Sequence, residues 1–300
     1  MADHEVARAV ARRIGRVGAW SFALERLPAA RAQDFTREVE SLGYGALWIP
    51  ESLGSKELFS HAALLLAAGG TITIASGIAS IWARDAVAMA NGARTLLDAY
   101  PGRFLLGLGA SHAPVVERRG ARYARPLSYM REYLGAMDKA PYVGPNRDDP
   151  RPARVLAALG PKMLRLSASS AEGAHPYFVP VEHTPVARRE LGDGPVLAVE
   201  QAAVLLTDPA AARKAARAHM KRYLELDNYA NNLRRLGWGD ADIGNGGSDA
   251  IVDAIVAWGE PERVAERVRA HLDAGADHVC LQMLGPDPAD ELRRLGPLIV

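Results

Sequence analysis

The sequence predicts an α/β protein, a (β/α)8 TIM barrel with a helical insertion between strands seven and eight. Three observations predict it. Eight short apolar runs alternate with segments of helical periodicity. The runs are apolar on both faces, as strands of a parallel sheet covered by helices must be. No glycine fingerprint follows the first run, where a doubly wound dinucleotide fold would place one. RVGAWSFALERLP, which begins at Arg16, holds nothing of that kind.

The elements follow in order. RVGAW ends at Trp20, and Pro28 then opens a helix with Phe35, Val39 and Leu42 on one face, closed by Gly43. The second run is ALWIP (46–50), followed by a helix through 61–68. The third is TITIASGIASI (71–81), after which Asp85 caps a helix carrying Met89, Ala93, Leu96 and Leu97. RFLLGLGA (103–110) is the fourth, and Met130, Leu134 and Met137 mark the next helical face. RVLAAL (154–159) is the fifth and meets Gly160, Pro161 and a helix reaching Gly173. AHPYFVP (174–180) is the sixth, VLAVEQAAVLL (196–206) the seventh and HVCLQML (278–284) the eighth, before a short closing helix. Roughly seventy residues separate the last two runs, far more than the usual helix of a βα unit. They hold the helix PAAARKAARAHMKRYLEL, the turn GWGDADIGNGGSD, the helix AIVDAIVAW and a helix over 261–275 with Val264, Val268 and Leu272 on one face. Residues 208–258 read as an insertion carried on a single barrel domain spanning 1–300.

Composition excludes several functions. Hydrophobic residues make up 49% and charged residues 24%, an ordinary globular balance. A net charge of +1 draws the chain neither to nucleic acid nor to an anionic membrane. No apolar run reaches the ~20 residues of a membrane helix, and the N-terminus lacks the apolar core of a secretory signal. Arg8, Arg12, Arg13 and Arg16 read as the solvated face of a helical lead-in. Cys280 is the single cysteine, so no internal disulfide forms. No H-E-x-x-H, G-x-S-x-G or P-loop pattern occurs, and no metal site is predicted. A cytoplasmic protein is expected.

Chemistry in such barrels sits at the C-terminal strand ends. Those ends carry Trp20-Ser21, Glu51-Ser52, Ser76-Gly77-Ile78, Ser111-His112, Leu159-Gly160-Pro161, His175 with Tyr177, and Gln282, while Glu200 and Gln201 fall mid-strand. Neighbouring Ser111 and His112 point in opposite directions and make no nucleophile pair. LLGLGASHAP (105–114) lacks the third glycine of a dinucleotide turn. Gly77, Gly107 and Gly109 strip side chains from the barrel mouth, either for something flat and wide or for close packing of neighbours. Gly160-Pro161 opens a helix whose free N–H groups and dipole favour an anion, with Lys162 adding charge. The alternative is a tight βα turn with a surface lysine.

GYGALWIPES, TIASGIASIWARD, YPGRFLLGLGASHAP, RVLAALGPKMLRLSA and GAHPYFVPVEHT together resemble the luciferase-like monooxygenase superfamily. More narrowly they resemble its coenzyme F420-dependent oxidoreductases from actinobacteria, and the resemblance resumes at GADHVCLQML. It implies a non-proline cis peptide at Gly77–Ile78 that supports a flat deazaflavin ring. It implies that Gly109, Ala110, Ser111 and His112 line the ring's edge, and that Leu159, Gly160, Pro161, Lys162 and Met163 hold the cofactor phosphate. An acidic residue often stands where His112 stands, and sugar-phosphate dehydrogenases of the family carry Asp-His where this chain has Glu51-Ser52. The resemblance also implies a homodimer acting on a small-molecule substrate. The activity expected is hydride transfer by bound F420, with His112, Glu51 and His175 as candidate proton donors or acceptors. The alternatives are an FMN-dependent monooxygenase and a non-catalytic flavin-binding barrel.

Overall fold

The computed structural model describes residues 4–145 and 151–300. The first part of the chain runs α1 (His4–Ile14), β1 (Val17–Trp20), α2 (Ala29–Ser41), β2 (Ala46–Ile49), α3 (Leu58–Leu66), β3 (Thr73–Ser76), β4 (Ala79–Ser80), α4 (Ala86–Ala99) and β5 (Phe104–Gly109). Then come α5 (Ala113–Arg118), α6 (Pro126–Asp138), β6 (Arg154–Leu156), α7 (Pro161–Ser170), β7 (Gly173–Ala174), α8 (His183–Leu191) and β8 (Val196–Val204). The remainder is α9 (Pro209–Leu224), α10 (Asp227–Arg235), α11 (Asp240–Ile243), α12 (Asp249–Ile255), β9 (Val256–Trp258), α13 (Pro261–Asp273), β10 (His278–Met283) and α14 (Pro288–Ile299).

Every strand pairing is parallel, and β10 pairs with both β1 and β8, so the sheet closes into an eight-stranded barrel. β3 and β4 form one barrel strand interrupted at Gly77–Ile78, whose peptide bond is cis. Alternate residues divide the apolar material. Trp20, Ala46, Trp48, Ala75, Leu105, Val155, Ala198 and Cys280 fill the barrel interior. Ala19, Leu47, Ile49, Ile74, Leu106, Leu156, Val199 and Leu281 pack outward against the helices. Period-two alternation in strands apolar on both faces produces this split. Ala7 and Ile14 of α1 join the interior cluster, so α1 closes the N-terminal end with Arg8, Arg12 and Arg13 on its exposed side.

Local signals hold where capping chemistry decides. The Asp85 carboxylate accepts from the Val87 and Ala88 amides at the start of α4. Gly43 takes φ +88° just after α2. α3 begins at Leu58, earlier than its apolar pattern, because Glu57 caps it through the Phe59 and Ser60 amides.

Two expectations are corrected. The sixth run, AHPYFVP, was expected as a strand, but only Gly173 and Ala174 pair in the sheet. Pro176 and Pro180 have no N–H to give a ladder, and Phe178 has φ +59°. The end of AIVDAIVAW was expected to be helical, but Val256–Trp258 is β9, paired with Ala202, Ala203 and Val204. A short buried apolar run does not reveal its period. β9 occupies the edge of β8 that β7 has left. The expected turn after Gly237 also contains α11.

α9, α10, α12 and β9 share an apolar cluster of Ala216, Met220, Tyr223, Leu233, Val252 and Val256, which reaches the barrel through Phe178 and Val204. Among the described residues no helix is long and apolar enough to cross a membrane.

Candidate active site

The floor of the C-terminal mouth is built where β1, β3, β4 and β5 end. Trp20 packs edge-on against Phe22, ring centroids 4.5 Å apart, and tilts against Tyr177 at 5.4 Å. Its indole Nε1 is buried with no hydrogen-bond partner. A side chain at Gly77 would run into that indole nitrogen. Past the cis bond, Ile78 turns its side chain over β5. A Cβ on Gly109 would strike the tip of Ile78, and one on Gly107 would strike the Ser76 carbonyl oxygen. The Ser76 hydroxyl both donates to the Gly107 carbonyl and accepts from its amide, each at 2.8 Å. Close packing of neighbours therefore accounts for Gly107 and Gly109; the room they leave is filled by Ile78 and Ser76. Trp82 Nε1 donates to the Ala110 carbonyl at 2.9 Å and fixes the end of β5. Ser111 follows with φ +57°.

The three residues expected to carry protons face different ways. Glu51 has both oxygens engaged: Arg84 binds them as an ion pair, and the Ser80 amide donates to Oε2 at 2.7 Å. The carboxylate thereby holds the chain just beyond the β3–β4 break. His175 lies inside the barrel, stacked on Trp48 at 4.3 Å, with Nδ1 donating to the Ala198 carbonyl at 2.9 Å. Burial pushes its pKa down to about 4, so the ring is neutral at pH 7 and its Nε2 has no partner. His112 sits at the N-cap of α5 beside the Tyr229 ring, 5.5 Å away. Burial first, and then the positive charge of Arg222, push it to about 4, against a raising hydrogen bond with Asn228. Neither histidine has a proton to give near neutral pH.

Glu200 does. Its Oε2 accepts from the Phe178 amide at 3.0 Å and its Oε1 has no partner. Burial drives its pKa up to about 8. It lies beneath an aromatic cover in which Phe178 meets Tyr223 at 5.0 Å and Tyr229 at 5.3 Å. The Tyr177 hydroxyl donates to Gln282 Oε1 at 2.8 Å, so the Tyr223 hydroxyl, 3.0 Å away, donates to Tyr177. The sequence placed Glu200 on a strand, but mid-strand position gave it no role.

The turn before α7 is the second feature. Gly160 is the N-cap, and no side chain caps the helix. His183 Nε2 donates to the Leu159 carbonyl at 2.8 Å and steadies the turn. Arg235 of α10 stands over it, since a Cβ on Gly160 would lie 3.2 Å from the guanidinium. Arg235 donates to Asn232 Oδ1 at 3.1 Å, while Asn232 Nδ2 is buried without a partner. Lys162 is exposed. Sequence reasoning missed Arg235 and Asn232, because nothing in the insertion's periodicity points to a turn some seventy residues earlier. On the other side of the mouth a cavity of about 660 Å³ is lined by Phe22, Ser52, His219, Arg222, Tyr223 and Gln282, among others. Among the described residues no cluster of three His, Cys, Asp or Glu side chains is placed to hold a metal ion.

The family model described as luciferase-like monooxygenase matches residues 14–278. The chain belongs to that family. Among relatives of this luciferase-like barrel, a 5,10-methylenetetrahydromethanopterin reductase of Methanolobus tindarius is 22% identical, covering 91% of this chain and 96% of its own. An F420-dependent secondary alcohol dehydrogenase, solved with an F420-acetone adduct, superposes with a TM-score of 0.77 at 15% identity, covering 95% of this chain and 98% of its own. The oxygenating constituent of 3,6-diketocamphane monooxygenase from Pseudomonas putida, solved with FMN, superposes with a TM-score of 0.65 at 17% identity, covering 95% and 98%. At these identities the superpositions establish the luciferase-like fold.

Proposed function

We propose that this luciferase-like barrel is an oxidoreductase that binds coenzyme F420 and passes a hydride between it and a small organic substrate. The observation that carries the reading is the uncapped turn at Gly160, faced by Arg235 and the unpartnered amide of Asn232. An uncapped helix start with a guanidinium beside it suits a phosphate. Leu159, Gly160, Pro161, Lys162 and Met163 would hold that phosphate together with Arg235. The ring would lie along Gly77, Ile78, Gly109, Ala110 and Ser111, where the orphaned Trp20 Nε1 offers a donor. The chemistry such a cofactor supplies is two-electron hydride transfer.

The chain's own residues then have defined tasks. Tyr177, Phe178, Tyr223 and Tyr229 exclude water from the mouth. Glu51, held by Arg84, shapes the segment after the β3–β4 break. Glu200 keeps its carboxyl protonated at neutral pH beneath the tyrosines. The reading includes a homodimer, taken from the family resemblance, and a cytoplasmic location, taken from composition; light scattering on the purified protein checks the stoichiometry.

FMN chemistry is the second reading, favoured by the FMN-bound superposition. F420 is preferred because the likeness to the F420-dependent dehydrogenase is greater, 0.77 against 0.65. Fluorescence titration with both cofactors tests the choice. F420 should bind more tightly than FMN, and Arg235→Gln should weaken F420 by ~10-fold, about 1.4 kcal/mol, while the cofactor-free melting temperature stays put. Tighter FMN binding moves the assignment to the monooxygenase. Turnover of any acceptor excludes the non-catalytic barrel.

A further inference from the structure

Arg222, on α9, is a cation over the barrel mouth with no acidic partner among the described residues. Its guanidinium lies 5.5 Å from the Phe22 ring centroid, after β1, and 4.8 Å from that of Tyr223. Its charge also depresses the titration of His112, after β5, and of His219. The side chain therefore spans from the β1 side of the mouth towards the β5 side, at the rim of the 660 Å³ cavity.

The cavity around it is short of negative charge and supplied with donors. Arg26 also lines it and forms no ion pair among the described residues, whereas Glu25 is the acidic liner. Glu25 is already occupied, accepting from the Ser52 amide at 2.9 Å and facing Lys56. Ser55 and His219 line the same cavity, and each has a buried polar atom, Oγ and Nε2, without a partner. Buried polar atoms are satisfied as a rule, so two orphans in one cavity mark where a ligand's polar group belongs. Leu53, Met283 and Leu284 supply apolar wall for the rest of the ligand.

We propose that Arg222 binds an anionic group of the substrate, so that this enzyme takes an organic acid whose carboxylate or phosphate is held by Arg222, His219 and Ser55. This rests on the reading that a cofactor occupies the β3–β5 side and the α7 turn, which leaves the β1–β2–β10 side to substrate. A planar guanidinium backed by aromatic faces recognises an oxyanion with two donors at once, which a lysine ammonium does not.

The anion has two possible sources, the substrate or the acidic cofactor, and the test separates them. Binding of 4-phenylbutyrate and of its uncharged amide, 4-phenylbutyramide, is measured by intrinsic fluorescence and by calorimetry, with F420 titrated in parallel. The parent should prefer the carboxylate by ~10-fold or more, and the preference should shrink as salt is raised. Arg222→Gln should bind both compounds alike while holding F420 within about twofold. Arg222→Lys should keep part of the preference, which shows that the Gln variant lost recognition and not its fold. Equal binding of acid and amide by the parent, absence of carboxylate binding, or a Gln variant that keeps the preference would overturn the proposal. Loss of F420 affinity in Arg222→Gln, with the carboxylate preference intact, would assign the arginine to the cofactor. A parent that ignores F420 yet still prefers the carboxylate overturns the cofactor assignment alone.

Discussion

A carboxyl enclosed in a barrel keeps its proton when no cation compensates it, and Glu200 is so placed. It moves from an ordinary value of 4.5 up to about 8 because burial penalises the charged form. Between those values the unfolded chain has released a proton that the folded chain still holds. Stability from this group is thus complete below pH 4.5 and declines as pH rises towards 8, by ~1.4 kcal/mol per pH unit. Glu200→Gln removes the dependence. The melting temperature of the variant, relative to the parent, should rise steadily between pH 5 and pH 8; a constant difference would mean that Glu200 ionises freely. His175 and Glu51 show the same lesson in reverse. Both residue types suit proton transfer, and each already has a close partner, His175 in its stack on Trp48 and Glu51 in its ion pair with Arg84.

At the scale of elements, the interrupted strand β3–β4 and its neighbour β5 interlock through glycine. The obstacle at Gly109 is the tip of a flexible side chain, Ile78, whereas the obstacle at Gly107 is the backbone carbonyl of Ser76. Overpacking costs ~1–3 kcal/mol when something has to move, and backbone moves less readily than a side-chain end. Gly107→Ala should therefore destabilise by about 3 kcal/mol or more and Gly109→Ala by about 1 kcal/mol. Adding Ile78→Ala should recover stability in the Gly109 variant and not in the Gly107 variant. Urea unfolding of the four variants decides, and rescue of both would mean that Ile78, whose Cγ2 a Cβ on Gly107 would meet at 3.5 Å, is the obstacle there and not the Ser76 carbonyl. From the sequence, two glycines one residue apart were legible as a place where side chains are not tolerated. Which neighbour excludes them was not legible, because Ser76 and Ile78 reach β5 only through sheet pairing.

The molecule as a whole carries an acid sensitivity. Seven of the eight histidines titrate below the ordinary 6.5, with burial the leading cause at each. The hydrogen bonds of two of them require neutral rings. His271 donates through Nε2 to Gln201 and accepts at Nδ1 from Thr184, and His278 accepts at Nε2 from Trp48. As pH falls through 6.5 the unfolded chain takes up protons, while the folded chain refuses most of them until about 4. Stability should fall steeply between pH 6.5 and 4, opposite in sign to the Glu200 effect and larger because several groups act together. Calorimetry across that window should show a falling melting temperature; a flat profile would contradict the burial of these rings.

The eight-stranded parallel barrel and the helix ends at Asp85 and Gly43 were readable in the sequence alone. Those properties depend on period, capping residues and turn chemistry within a few neighbouring positions. Asp85 capping α4 and Gly43 ending α2 are settled by the residues beside them. Long-range packing places Arg235 over Gly160, brings Arg222 from α9 to Phe22, and lets Ile78 fill the space beside Gly109. These partners lie far apart along the chain and share no period. They meet because the barrel closes and the insertion packs its own apolar face across the mouth.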